Sequence, residues 1–389
     1  MQTVQPNVLE QPAVLTDLGA IFVSLELSRS RWVITSLSPG GGEKMSRHSV
    51  SGGDIASLLD QLRKLQKRAL DRTGCSHRVV VIQEAGLDGY WIDRVLQREG
   101  HESHLVDAAS VATSRRRRRA KTDKLDGEAL VRALLAYKRG EPRVCSMVRA
   151  PTPEEEDRRR IGRERRTLMV ERVQHVNRIK GLLFAQGIYD YEPRRDVHGE
   201  RLHTLLTGDG RPLPQHLLMQ LRRELERLRL VIDQLKAVEA ERDRMMSATE
   251  KTDQPEPVAM LLGLRGIGPE AAEVLWSEGL FRHFDNRRQL AAYAGLAPTP
   301  WQSGSVHHEQ GVSKAGNPRL RTVMLQVAWL WLRHQPRSAL ARWFEDRVER
   351  NGGRQRKTAI VALARKLLVA IWRYATAGVV IEGAIHKHP

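Results

Sequence analysis

The chain has 389 residues, 41% of them hydrophobic, and a formal net charge of +18 from 64 Lys and Arg against 46 Asp and Glu. That length and apolar content exclude a disordered tail and leave room for two or three domains with cores of their own. The charge favours a polyanionic partner, because each phosphate contact releases condensed counterions, yet charge alone does not separate DNA, RNA and anionic membrane. Arg outnumbers Lys, which suits bidentate phosphate contacts and equally fits a GC-rich genome. Cys75 and Cys145 are the only cysteines, too few for a disulfide framework, and they fit a reducing cytosol. No secretory signal opens the sequence. No stretch approaches ~18 uninterrupted apolar residues, and the most apolar tract, LLVAIWRYATAGVV, is broken by Arg373. The expectation is a cytoplasmic, nucleoid-associated protein without a membrane partner.

Residues 1–17 are polar and read as a flexible lead-in. Ala20 to Leu27 and Arg31 to Leu37 read as strands, and Glu43 to Val50 as a third. Asp54 to Leu70 has helical periodicity, with Ile55, Leu58, Leu59, Leu62 and Leu65 on one face. Val79 to Gln83 is a continuous apolar run, the pattern of a strand buried on both faces. A helix over Tyr90 to Arg98, a strand ending at His104 to Asp107 and a helix from Thr122 to Tyr137 follow. Three meandering strands and then αβ units give a mixed sheet with helices on its faces, the order of an RNase H-like (RuvC-like) fold by analogy. This domain is expected over residues 18–148.

Residues 149–250 are expected to be a helical, coiled-coil-like connection. In the helix from Gln215 to Met246, Leu218, Leu221, Leu225, Leu228, Ile232 and Leu235 alternate spacings of three and four. Such a seam serves either an ordinary helix packed within its own chain or a helix pair joining subunits. TDQPEP, Thr252 to Pro257, reads as a linker. Residues 251–389 are expected to form a helical domain that holds six of the eight tryptophans. Of these, Trp329, Trp331, Trp343 and Trp372 read as core anchors, since they fall in apolar helical runs.

Several polar residues point to phosphate chemistry. Asp123 and Asp126 in AKTDKLDGEAL are three apart at a predicted helix start, so both carboxylates share a face. Helix capping explains the pair as well as a cation does; Mg²⁺ suits it, because it takes oxygen ligands and keeps waters. Glu84 follows a buried strand and Glu26 lies within the first strand, where a carboxylate is costly unless it reaches solvent, a partner or a metal. In an RNase H-like sheet these four acids converge, and together they would hold one or two metals for phosphodiester chemistry.

LLGLRGIGPEAAEVLWSEG resembles a helix-hairpin-helix, with Gly266 and Gly268 allowing a tight turn and Pro269 starting the next helix. Backbone N–H groups there would hold a DNA phosphate, unless the turn is a plain connection. Ser303 lies on a loop before Gly304, near His307, His308, Lys314, Arg319 and Arg321. Serine in such a loop is usually a turn residue; as a nucleophile it would need activation. Lys314, Arg319 and Arg321 fit phosphate clamping or plain surface charge. Arg115, Arg116, Arg117, Arg118 and Arg119 form a run that is either a solvated segment or a nucleic-acid contact. There is no G-x-x-x-x-G-K-[ST] sequence for a nucleotide.

Three blocks carry a resemblance to a known family. They are IQEAG at Ile82 to Gly86, AKTDKLDGEAL at Ala120 to Leu130, and the segment from LLGLRGIGPEAAEVL through AAYAGLAPTPWQSGS to GVSKAGNPRLR. Together they resemble the DEDD transposases of the insertion-sequence one-ten family, from about Ala20 onward. The resemblance implies an N-terminal resolvase-like domain, a helical connection and a C-terminal transposase domain. It implies an acidic tetrad at Glu26, Glu84, Asp123 and Asp126 with Mg²⁺, and a nucleophilic serine at Ser303. It also implies DNA recombination through a covalent phosphoserine, direction by a structured non-coding guide RNA, and a homo-oligomer, dimer or tetramer, whose site is composite. The family's first acidic position is usually Asp; here Glu26 adds a methylene and alters the geometry in which a metal would be held. A metal-dependent junction nuclease and a non-catalytic nucleic-acid-binding protein are the alternative readings of the residues.

Overall fold

The computed structural model describes residues 19–42, 44–86, 90–111, 123–141, 144–248, 257–280, 282–303, 306–312, 316–350, 352 and 356–387; at 109, 123–125, 248 and 299–310 only the backbone is described. The expected lead-in, the arginine run Arg115 to Arg119 and Lys314 lie outside these residues, as does nearly all of the expected TDQPEP linker. The chain divides into two compact units, Met1–Ala150 and Pro151–Pro389.

In the first unit β1 (Ala20–Glu26), β2 (Arg31–Leu37) and β3 (Ser46–Ser51) form an antiparallel meander. α1 (Ile55–Thr73) follows; Asp54 caps it by accepting the Ser57 N–H, and Gly74, at φ 71°, ends it in the left-handed region that glycine adopts without strain. Then come β4 (Arg78–Glu84), α2 (Trp91–Arg98), β5 (Glu102–Val106), α3 (Asp123–Lys138) and a two-residue β6 (Met147–Val148). The sheet order is β3-β2-β1-β4-β5-β6. β1, β4 and β5 run parallel, and β6 adds an antiparallel edge that the sequence did not signal.

Strand alternation divides the core in two. Ile21, Val23 and Leu25 join Val79 and Val81 beneath α1 and α2, around Leu58, Leu62, Ile92 and Leu96. Ala20 and Phe22 join Val80 and Ile82 on the other face, beneath Leu130, Val131 and Leu134 of α3. The first unit is thus a mixed α/β layer structure. β4 extends one residue further than its apolar run, so Glu84 ends the strand rather than following it.

The second unit begins with α4 (Pro153–Phe184) and α5 (Gln215–Ala248). Thr152 and Glu155 close a reciprocal capping box at the start of α4. The leucine seam of α5 is consumed inside the chain. Leu221, Leu225 and Leu228 pack on Ile179 and Leu183, while Val231, Leu235 and Val238 pack near Leu168, an antiparallel arrangement. The remainder is α6 (Pro257–Gly263), α7 (Pro269–Val274), a π-helical segment (Leu275–Leu280), α8 (Arg287–Tyr293), β7 (Pro298–Ser303), β8 (Val306–Val312), α9 (Pro318–His334), α10 (Ala339–Glu349) and α11 (Arg356–Ala377).

Two expectations are corrected here. The C-terminal region is not wholly helical, because β7 and β8 pair as an antiparallel hairpin. Proline and polar residues at its strands hid it from a hydrophobic-period reading. Trp331 is fully buried and donates its indole N–H to Ser338 at 2.9 Å, but Trp329 is 43% exposed with Arg356 over its ring, so it does not anchor the core. Consecutive helix positions are 100° apart, and two residues in sequence place Trp329 and Trp331 on opposite faces. No helix among the described residues is long and apolar enough to cross a membrane.

Candidate functional site

The first unit sets two carboxylates on adjacent parallel strands. Leu25 pairs with Gln83, and the next residue on each strand is Glu26 and Glu84. Both belong to the alternation that faces α3, the same parity as Phe22 and Ile82. α3 crosses this face and starts at Asp123, with Asp126 half-buried in its first turn. The Ser24 hydroxyl fixes that turn by donating to the Gly127 carbonyl at 2.9 Å. The fold therefore brings Glu26, Glu84 and the first turn of α3 to the C-terminal end of the parallel strands. The Asp123 side chain lies outside the described ones.

Gly127 is closely packed here. A Cβ there would overlap Glu26 Oε1 and Thr35 Oγ1, and Thr35 Oγ1 is buried without a hydrogen-bond partner. Gly127→Ala is expected to push α3 off β1 and destabilise the unit by about 1–3 kcal/mol, the usual cost of overpacking, read as a lowered thermal midpoint. Sequence reasoning missed Ser24, Thr35 and Gly127, because nothing in a strand serine or threonine announces a partner a hundred residues away.

Glu26, Glu84, Asp126 and the Thr35 hydroxyl offer oxygen donors on this face, and the chemistry of such donors is that of a hard divalent cation's ligands. In kind it fits Mg²⁺. Among the described residues, however, no group of three or more His, Cys, Asp or Glu is arranged to hold a metal ion together.

In the second unit Ser303 ends β7 and pairs in register with Val306. It occupies the end of a strand, not a free loop. α6 and α7 are joined by a short turn in which Gly266 has φ +87° and Gly268 is the extended N-cap of α7. At Gly266 two things favour glycine: the left-handed backbone, and the Leu330 carbonyl oxygen, which lies 3.4 Å from where a Cβ would sit.

Arg319 has a different employment from the phosphate clamp expected of it. Its side chain is 12% exposed and donates to Glu273 at 2.8 Å and to Glu278 at 3.2 Å. Arg163 of α4 also binds Glu278, at 3.1 Å, and Ser277 donates to Glu273 at 2.7 Å. A Cβ on Gly162 would overlap this Arg319–Glu273 pair, so glycine lets α4 approach it. Burial pushes the Glu273 carboxyl above its ordinary value despite Arg319. Burial also pushes on Glu278, but Arg163, Arg319 and Asn317 outweigh it and hold that carboxyl below its ordinary value. Arg321 is half-buried in the first turn of α9. The sequence reading missed Glu273 and Glu278. The signal was present: two acids in an apolar helical run, AAEVLWSEGL.

Comparison with known proteins gives the class. The family described as Transposase IS116/IS110/IS902 matches residues 258–343, from α6 into α10. A putative transposase, y4rJ of Sinorhizobium fredii, is 68% identical over 97% of this chain and 97% of its own length. A probable family 20 transposase of Pseudomonas aeruginosa is 28% identical, over 84% of this chain and 91% of its own. The pilin gene-inverting protein of Moraxella bovis is 32% identical over 28% of this chain and 34% of its own. The protein is accordingly an enzyme, a DNA transposase or recombinase. The chain belongs to the IS116/IS110/IS902 family of insertion-sequence transposases.

Proposed function

We propose that the protein recombines the DNA of its insertion sequence through a covalent phosphoserine. In this reading the first unit is an RNase H-like (RuvC-like) domain whose Glu26, Glu84, Asp123 and Asp126 hold Mg²⁺, and Ser303 is the nucleophile. The Ser303 hydroxyl loses its proton and attacks phosphorus; the P–O bond to the departing DNA oxygen breaks, and that oxygen takes a proton. A DNA hydroxyl then attacks the same phosphorus and releases Ser303. Bound Mg²⁺ would supply charge stabilisation at the phosphate. α6, Gly266, Gly268 and α7 act as a helix-hairpin-helix on the DNA backbone. Arg115 to Arg119, Lys314 and Arg321 contact nucleic acid, and a structured non-coding RNA directs the reaction. The protein acts as a dimer or tetramer in the cytoplasm.

The observation that carries this reading is the pairing of Glu26 and Glu84 at neighbouring parallel strand ends on the face crossed by α3, whose first turn holds Asp126. Glu84 is exposed and Glu26 half-buried at that edge. The test uses element-end DNA with the RNA transcribed beside the reading frame. EDTA is expected to abolish strand cleavage, and Asp126→Asn to slow it by at least about 10²-fold, since metal stabilisation is worth several kcal/mol. Mg²⁺ is expected to raise the thermal midpoint of the parent and not of Asp126→Asn. Cleavage at the parental rate in EDTA would remove the metal from the proposal.

A further inference from the structure

The segment that carries Ser303 leaves the helical core and returns to it at one point. α8 ends at Tyr293, the hairpin occupies residues 298–312, and Asn317 opens α9. The two ends are joined directly. The Asn317 N–H donates to the Tyr293 carbonyl at 2.6 Å. The Asn317 side-chain amide donates to Glu278 Oε2 at 3.0 Å and to the Tyr293 hydroxyl at 3.2 Å. The Tyr293 hydroxyl in turn donates to the Glu278 carbonyl at 2.8 Å, satisfying an acceptor in the last turn of the π-helical segment. Gly316 completes the closure: at φ +106° it lies so close to the Tyr293 and Ala292 carbonyls that a Cβ would overlap them.

We propose that Glu278, Tyr293 and Asn317 are positioning residues, a clasp that aims the β7–β8 hairpin and so sets Ser303 for attack on phosphorus. The proposal rests on Ser303 being the nucleophile. Several observations favour positioning over mere support. A two-stranded hairpin is marginal by itself, and among the described residues β7 and β8 pack chiefly on each other, so its orientation is inherited from its base. The clasp lies at that base and joins both strands' exits. Its acceptor is rigid, because Arg163 and Arg319 bind the Glu278 carboxylate from two other helices. A buried charged network is a costly way to hold two helices together, and a π-helical turn is an unusual backbone on which to mount it. Both are accounted for if the orientation of the hairpin matters to the chemistry.

Two substitutions disturb the clasp, Asn317→Asp by setting a second carboxylate against Glu278 and Tyr293→Phe without adding charge. Asn317→Asp keeps the oxygen that caps α9 by accepting from Arg319 and Leu320 N–H, at 3.0 and 3.1 Å, but turns an acceptor toward Glu278. Tyr293→Phe deletes the hydroxyl and keeps the ring, which packs at 5.5 Å from Phe284. Amide exchange across the second unit and the single-turnover rate of DNA–protein adduct formation are measured together, with DNA affinity as a control. Exchange is expected to rise in residues 298–312 and to stay at parental values in α9 and α11. Adduct formation is expected to slow by about tenfold to hundredfold, the scale set by a misplacement of about 1 Å, with DNA affinity unchanged. A uniform rise in exchange across the unit, or hairpin loosening at an unaltered adduct rate, would overturn the clasp. If the parent forms no adduct that Ser303→Ala removes, the nucleophile reading fails instead, and parental hairpin exchange in both variants would remove the clasp independently.

Discussion

Ser303→Ala is expected to abolish the covalent DNA adduct and to lower recombination by about 10⁴-fold or more, the scale on which removal of a nucleophile acts when the binding groups remain. A serine hydroxyl is a poor nucleophile unless its surroundings activate it, and water is its nearest competitor. The decisive measurement is a denaturing gel with end-labelled DNA, which retains only a covalent species. DNA affinity should match the parent, because the substitution removes one oxygen at the end of β7 and no charge. Cleavage at the parental rate with no adduct in either protein would convert the enzyme into a water-using nuclease. That outcome would leave the acidic tetrad standing and remove Ser303 from the chemistry.

Arg319→Met is expected to cost about 3–5 kcal/mol, because it strands the buried Glu273 carboxylate and takes one of its two arginines from Glu278. Glu273 is 1% exposed and Glu278 3% exposed, so water cannot replace the guanidinium they share. For a unit of this size the thermal midpoint should fall by roughly 10 °C. The pH dependence identifies the cause. In the parent the Glu278 carboxyl lies below its ordinary value of 4.5, so its contribution is present above pH 4.5 and is lost as pH falls through the folded value. In the variant Glu273, already pushed above its ordinary value by burial, loses Arg319 and rises further, while Glu278 keeps Arg163. Protonation then relieves the variant as pH falls. The gap between the two melting curves is therefore expected to be widest near neutrality and to narrow toward pH 5. A gap independent of pH would mean that lost packing, not stranded charge, explains the destabilisation.

The pattern of elements in the first unit was legible because its strands and helices bury one clear face each. β2 matches its expected range, and α1 extends only to Thr73 past an expected end at Leu70. The short β6 was not legible, since two residues carry no periodicity. The leucine seam of α5 was legible as a seam but not as to its partner, which is α4 of the same chain. A heptad pattern states that a helix face is covered, not what covers it. The β7–β8 hairpin was missed because PTPWQS and VHHEQGV alternate too weakly to read as strands.

At the candidate site the acids were legible singly. Glu26 drew notice as a carboxylate in an apolar strand, and the same reasoning applied to AAEVLWSEGL would have singled out Glu273 and Glu278. Arg319's ion pairs with Glu273 and Glu278 were not legible, because a charge in a basic segment looks solvated until its neighbours are known.

By itself the sequence determined a preference for a polyanionic partner, through its charge, the layered order of the first unit, through its hydrophobic periods, and the identity of the candidate acids and serine. Those properties depend on residue type and local spacing alone. The tertiary structure decided which carboxylates share a strand edge, which arginine is spent inside the core, and where the hairpin is fastened. Each of these is a meeting of side chains many positions apart, fixed by strand register and helix packing, and no local pattern along a chain encodes such a meeting.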